Sequence, residues 1–163
     1  MIYITGDTHG GFQRFGNNYF PQQKHMSRED YVIITGDFGG LWDGGPKDWY
    51  WLDWLSGKPF TTLFVDGNHE NFDLLNALPE KEWHGGRVHE VRENILHLMR
   101  GQIFTFGGLT WFTMGGASSH DLSLIHIFHK LIVGGHKRRL DLFLGHMWSF
   151  AFLAIVLVVA RCV

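Results

Sequence analysis

Apolar residues along this chain fall into short runs, and three of those runs share one plan. Ile2-Tyr3-Ile4-Thr5 leads into Gly6-Asp7, Tyr31-Val32-Ile33-Ile34-Thr35 into Gly36-Asp37, and Thr62-Leu63-Phe64-Val65 into Asp66-Gly67-Asn68. A short β-branched and aromatic run closed by a turn former predicts a buried strand. The run ends lie about 30 residues apart, which leaves room for a crossover helix in each interval and predicts βαβ units on a parallel sheet. Lys47–Leu55 carries Trp51, Leu52, Trp54 and Leu55 at helical spacing, and Glu70–Leu78 predicts a second helix. Beyond Arg87 the pattern changes to Val88–Val91, Ile95–Leu98, Ile103–Phe106 and Leu109–Met114. The last two flank Gly107-Gly108, a two-residue hairpin signal, so an antiparallel part should follow the parallel one.

Composition adds limits. A chain of 163 residues can build one domain with a real core, and 45% hydrophobic with 18% charged residues is ordinary for a soluble globular protein. A net charge of -2 gives no footprint for nucleic acid, which needs concentrated positive charge. The 21 Gly and 11 His matter more, because many of the glycines flank acidic and histidine residues, as in loops that carry chemistry. Cys162 is the single cysteine, so no internal disulfide forms. The N-terminal residues enter a strand-like run without a basic leader, and a cytoplasmic location is expected.

The three strand ends offer Asp7 and His9, then Asp37, then Asn68 and His69. Ligands at the carboxyl ends of parallel strands converge on one crevice. Carboxylate, imidazole and amide oxygen together suit Mn, Fe, Zn or Mg, and no cysteine is present to favour a softer site. Two such ions can activate water and clamp the oxygens of a phosphate ester. The alternative is that Asp7, Asp37 and Asn68 are turn formers at strand ends, as Asp and Asn often are. That alternative leaves His9 and His69 unexplained.

Asp7-Thr8-His9, Gly36-Asp37 and Gly67-Asn68-His69-Glu70 resemble, in order and position, the first three signature blocks of the calcineurin-like metallophosphoesterases. Arg100-Gly101 through Gly115-Gly116-Ala117-Ser118-Ser119 is similar to the hairpin region of a bacterial and phage branch of that family. The resemblance implies an α/β fold, an α/β/β/α sandwich of two sheets flanked by helices, truncated here on its C-terminal side. It implies a phosphatase or phosphodiesterase using two divalent metal ions. Asp7 and His9 would hold the first metal, Asp37 would bridge, Asn68 would hold the second, and His69 would assist the leaving group. Many relatives carry a second Asp three positions after the bridging one; Gly40 stands there, with Asp43 further along the same loop.

Other residues have blander readings. His89 and His97 sit in strand candidates and read as half-buried sheet residues, and His84 and His120 are the remaining candidate ligands. Trp42, Trp49, Tyr50, Trp51 and Trp54 could form a base-stacking platform. Packing of the helix against the sheet is the plainer reading, although Trp42 lies in the second loop and could wall a pocket.

Past Asp121 the chain departs from the family pattern, which closes with two further histidine blocks. Gly135-His136 and Gly145-His146 offer only single histidines. Leu142–Ala160 carries no Lys, Arg, Asp or Glu and follows Lys137-Arg138-Arg139, so a membrane anchor, a buried helix and a non-native tail are all readings of it. Leu122-Ser123-Leu124-Ile125-His126-Ile127 resembles a reading frame of a transposase adapter, which favours the non-native tail. The expected organisation is therefore a partial phosphoesterase domain over residues 1–121 and an atypical tail over 122–163. Activity impaired by missing histidine ligands is expected, the substrate being a phosphorylated compound. The competing readings are a non-catalytic phosphate- or nucleotide-binding module and a membrane-anchored protein.

Overall fold

The computed structural model describes residues 1–116 and the backbone of 155–159. His120, His136, His146 and most of the apolar tail lie outside the described residues. The described residues form β1 (Ile2–Gly6), β2 (Tyr31–Thr35), α1 (Pro46–Ser56), β3 (Thr61–Val65), α2 (Phe72–Asn76), β4 (Glu80–Trp83), β5 (Gly86–Arg92), β6 (Ile95–Leu98), β7 (Ile103–Phe106), β8 (Leu109–Met114) and β9 (Ile155–Val159). Six strands make one sheet in the order β1-β2-β3-β6-β5-β4, and three make a second in the order β7-β8-β9. β1, β2, β3 and β6 run parallel, while β5 and β4 extend the sheet antiparallel. The fold class is therefore α/β with a mixed sheet and few helices, as expected of a metallophosphoesterase-like sandwich.

The alternation of side chains along β2 and β3 builds two cores from one sheet. Val32, Ile34 and Phe64 face a cluster completed by Leu52 and Leu55 of α1 and Leu75 of α2. Tyr31, Ile33, Leu63 and Val65 face the second sheet, meeting Phe104, Phe106 and Trp111. Both faces of the parallel strands are covered, so these strands read as continuous apolar runs rather than alternating ones. Trp111 is buried, stacks on Phe106 at 5.0 Å and donates its indole N–H to the Phe106 carbonyl at 3.1 Å. The Gly107-Gly108 turn joins β7 to β8 with both residues at positive φ, as a two-residue hairpin demands.

Three expectations change. The interval from β1 to β2 holds two short 3₁₀ turns, Phe12–Phe15 and Pro21–His25, in place of an α-helix. Gly16 and Pro21 punctuate that interval and stop a helix from propagating. The second helix is confined to Phe72–Asn76 because Asn71 caps it, its side-chain oxygen accepting from Leu74 N–H at 3.1 Å. In the tail, Ile155–Val159 is a strand paired antiparallel with β8, not part of a helix. Among the described residues no helix is long and apolar enough to cross a membrane.

Candidate metal centre

The parallel register of β1, β2 and β3 brings their carboxyl ends side by side, and main-chain bonds lock the loops that follow. Asp7 N–H donates to the Gly36 carbonyl at 3.0 Å, His9 N–H to the Asp37 carbonyl at 2.8 Å and Gly10 N–H to the Phe38 carbonyl at 2.9 Å. Gly36 N–H donates to the Val65 carbonyl at 2.9 Å, and the buried Thr8 hydroxyl to the Phe38 carbonyl at 2.8 Å. The first two loops approach so closely that a Cβ on Gly39, which sits at φ 65, would meet His9 Cα at 2.8 Å. A Cβ on Gly67 would collide with the Asp37 carboxylate, so the third loop is equally tight against the second.

Asp7, His9 and Asp37 converge, with ligand atoms all within 4.8 Å of one another. His9 Nε2 lies 2.6 Å from Asp7 Oδ1 and 3.7 Å from Asp37 Oδ2. All three residues take left-handed backbone, at φ 54, 44 and 48. That conformation costs a residue with a side chain about 1–2 kcal/mol. Strain of this kind collects at functional sites, where the surrounding structure enforces it. Among the described residues one other non-glycine residue shares it: His84, in the β4–β5 turn.

The decisive atom is Asp37 Oδ2. Asp37 is fully buried, and its Oδ1 accepts from His69 N–H at 2.9 Å. Oδ2 has no hydrogen-bond partner, since His9 Nε2 at 3.7 Å is too far. A buried carboxylate oxygen without a partner is costly unless a cation meets it. The exposed Asp7 and His9 face the same point from the solvent side, so the donor set fits a hard or borderline divalent ion. Asn68 is exposed and lies between Gly67, which packs against the Asp37 carboxylate, and His69, which donates to it. The His69 ring stands edge-on to that of His9, centroids 5.7 Å apart.

Glu70 completes the frame. Its Oε1 accepts from Phe38 N–H at 2.6 Å and its Oε2 from Gly39 N–H at 3.3 Å, clamping the third loop to the second. Burial pushes its carboxyl up to about 7; the backbone N–H groups of Phe38, Gly39 and Gly67 oppose the rise and the Asp37 charge adds to it. The sequence placed Glu70 in the Gly67-Asn68-His69-Glu70 block and at a helix start, without a role of its own. Asp48 was missed. Its buried carboxylate accepts the N–H groups of Trp42, Asp43 and Gly44 at 2.7, 3.0 and 2.9 Å and fixes the loop between β2 and α1.

Asp43, the nearby carboxylate of the loop that lacks the second Asp, is not in the group formed by Asp7, His9 and Asp37. Its Oδ1 accepts from Gly45 N–H at 2.7 Å, within its own turn. His89 and His97 belong to a different cluster. They are buried, more deeply than the half-burial expected, with Nδ1 atoms 3.0 Å apart, and His97 Nε2 reaches Asp66 Oδ1 at 3.0 Å. His84 contacts the Thr105 carbonyl through Nδ1 at 3.1 Å, away from the strand ends. Of the aromatic group, Trp51 and Trp54 pack against the core as the plainer reading held, whereas Trp42, Trp49 and Tyr50 are exposed.

Strand order, a partnerless buried carboxylate and a histidine at converging strand ends make a candidate metal-ligand group on an α/β fold. A family profile described as calcineurin-like phosphoesterase matches residues 1–149, and the chain belongs to that family. No curated protein and no solved structure matches it.

Proposed function

We propose that this protein hydrolyses phosphoesters, mono- or diesters, at a site where Asp7, His9, Asp37 and Asn68 would hold two divalent metal ions. The single observation that carries the reading is the partnerless, buried Oδ2 of Asp37, within reach of Asp7 and His9. When bound, a pair of divalent ions supplies Lewis-acid charge for the phosphoryl oxygens and lowers the pKa of water. The chain's own residues do the rest. Glu70 and the main-chain bonds between loops keep the ligands from relaxing. His69, anchored through its N–H to Asp37, places its imidazole beside the ligand group, where it can protonate the leaving alkoxide as general acid.

Turnover in this chain is proposed to be weak. The family pattern calls for two later histidine blocks, and past Asp121 only the single histidines of Gly135-His136 and Gly145-His146 stand in for them. Metal affinity depends on the number and type of ligands. The reading carries a cytoplasmic location with it, which fractionation of expressing cells tests, and a division at Asp121, which sequencing genomic DNA across that codon tests. The function itself is tested with Mn-supplemented phosphatase assays. Turnover abolished by Asp37→Asn supports the hydrolase; phosphate binding without turnover points to a binding module instead.

A further inference from the structure

A cleft of about 340 Å³ opens beside the ligand group, with His9, His69, Phe12, Trp42, Lys47 and Trp51 among its lining residues. Resting on the hydrolase reading above, we infer that this cleft selects phosphoesters whose organic group is a planar aromatic ring, with Trp42 as the stacking wall. Trp42 is 58% exposed and lines the cleft, so its ring face is available to a ligand. Its backbone is nevertheless fixed. The N–H donates to Asp48 at 2.7 Å, and the carbonyl accepts from the Asn71 side chain at 2.7 Å. An exposed ring on a rigid loop is a binding element already organised, so little entropy is lost when a ligand stacks on it.

Helix α1 also contributes to the lining. Lys47 and Trp51 are four residues apart on that helix and therefore share a face. Trp51 is held from behind, its ring edge-on to Trp54 at 5.5 Å. The Lys47 ammonium supplies a positive charge in the same cleft as the aromatic walls, matching the anionic part of the ligand. Asp43 also lines the cleft and offers an acceptor suited to a sugar hydroxyl or an exocyclic amine. Flat apolar side chains, the Lys47 cation and the Asp43 acceptor in one lining with His9 and His69 match an aryl or nucleoside phosphate better than an aliphatic one.

The test is calorimetric titration of the full-length chain, with and without Mn²⁺, using adenosine monophosphate, phenyl phosphate and glycerol phosphate. The expected result is that at least one of the two aromatic esters binds about tenfold or more tightly than glycerol phosphate, the scale of one base-aromatic stack. Preference for both assigns selectivity to the ring; preference for adenosine monophosphate alone assigns it to the nucleoside. Trp42→Ala should erase the preference and Trp42→Phe should retain most of it, each with an unchanged melting temperature because the ring is exposed. Equal binding of the three esters, binding of none, or a preference that survives Trp42→Ala overturns the inference. Mn-dependent hydrolysis is followed separately. Ring-selective binding without hydrolysis removes the hydrolase reading and leaves the cleft assignment standing; hydrolysis of all three esters at equal kcat/KM does the reverse.

Discussion

Two buried aspartates close neighbouring strands of the same sheet and have opposite fates. Asp37 follows β2 and Asp66 follows β3, and they are 0% and 1% exposed. Asp66 is saturated: His97 Nε2 lies 3.0 Å from Oδ1, and Arg100 Nε donates to Oδ2 at 2.6 Å. Asp37 keeps one oxygen with no partner. The difference separates a carboxylate that the protein uses to hold itself together from one that, on the proposed reading, is open to a ligand. Burial alone does not distinguish them; the count of satisfied lone pairs does.

The electrostatics follow the same division. Burial would raise the Asp66 carboxyl, but hydrogen bonds and charge from His97 and Arg100 hold it below the ordinary carboxylate range. Behind it, burial and the neighbouring His97 charge lower the His89 imidazole. The chain from His89 through His97 and Asp66 to Arg100 is a structural network that runs behind the third loop. Phe38 stacks on Phe64 at 4.0 Å and Phe64 on His97 at 5.0 Å, so the network and the ligand loops share one packed face of the sheet.

The comparison is broken most sharply by exchanging roles. Asp37→Asn should lower Mn-stimulated phosphatase turnover by about 100-fold or more, since even ligand-supporting groups cost 10–100-fold. The same change should leave the metal-free melting temperature level or raised, because it removes a buried charge whose Oδ2 has no hydrogen-bond partner. A clear loss of metal-free stability in Asp37→Asn would show that this carboxylate is structural after all. Asp66→Ala should do the opposite, costing about 3 kcal/mol by urea denaturation, a value discounted because Arg100 is half in water. If Asp66→Ala is as stable as wild type, the saturated network is ornamental.

A smaller effect sits in the hinge between the first two loops. Gly39→Ala places a Cβ at a left-handed position against His9 and should cost about 1–3 kcal/mol, read from the denaturation midpoint, while weakening Mn²⁺ binding. The smallest test is the pH dependence of the network. His89 is held below its ordinary value, so the unfolded chain binds the extra proton. Its contribution is present in full above pH ~6.5 and lost as pH falls through the lowered folded value. Asp66 acts in the same direction at lower pH, its contribution being lost below its ordinary carboxylate range. Glu70, raised to about 7, runs the other way in the metal-free protein, losing stability as pH rises towards 7. Subtracting the stability of His89→Gln from wild type across pH 5–8 isolates the histidine; a flat difference would contradict its burial as the neutral form.

Much of this fold was legible because apolar runs with Gly-Asp or Gly-Asn endings have few other uses. β1, β2, β3 and the β5–β8 segment fall within a residue or two of their sequence boundaries. β4 escaped notice because Glu80-Lys81-Glu82-Trp83 has a single apolar residue. It forms by pairing with β5, where the Lys81 ammonium bridges the Glu90 carboxylate. The crossover before β2 was inferred from interval length, which is blind to the breakers Gly16 and Pro21. At the site, Asp7, His9 and Asp37 were readable because each stands at the end of a strand signal. Asp48 was not, since a carboxylate gathering loop N–H groups looks, in one dimension, like any polar position near a helix; Glu70 was readable as part of the Gly67-Asn68-His69-Glu70 block but not as the clamp on the second loop.

The central claim is that the partnerless oxygen of Asp37 is a metal ligand. Mn²⁺ binding to the full-length chain, followed by electron paramagnetic resonance, tests it without relying on catalysis. Wild type and Asp66→Ala, held well below their melting temperatures, should bind Mn²⁺ with similar affinity, and Asp37→Ala should lose most of that binding. Equal Mn²⁺ binding by wild type and Asp37→Ala would contradict the account.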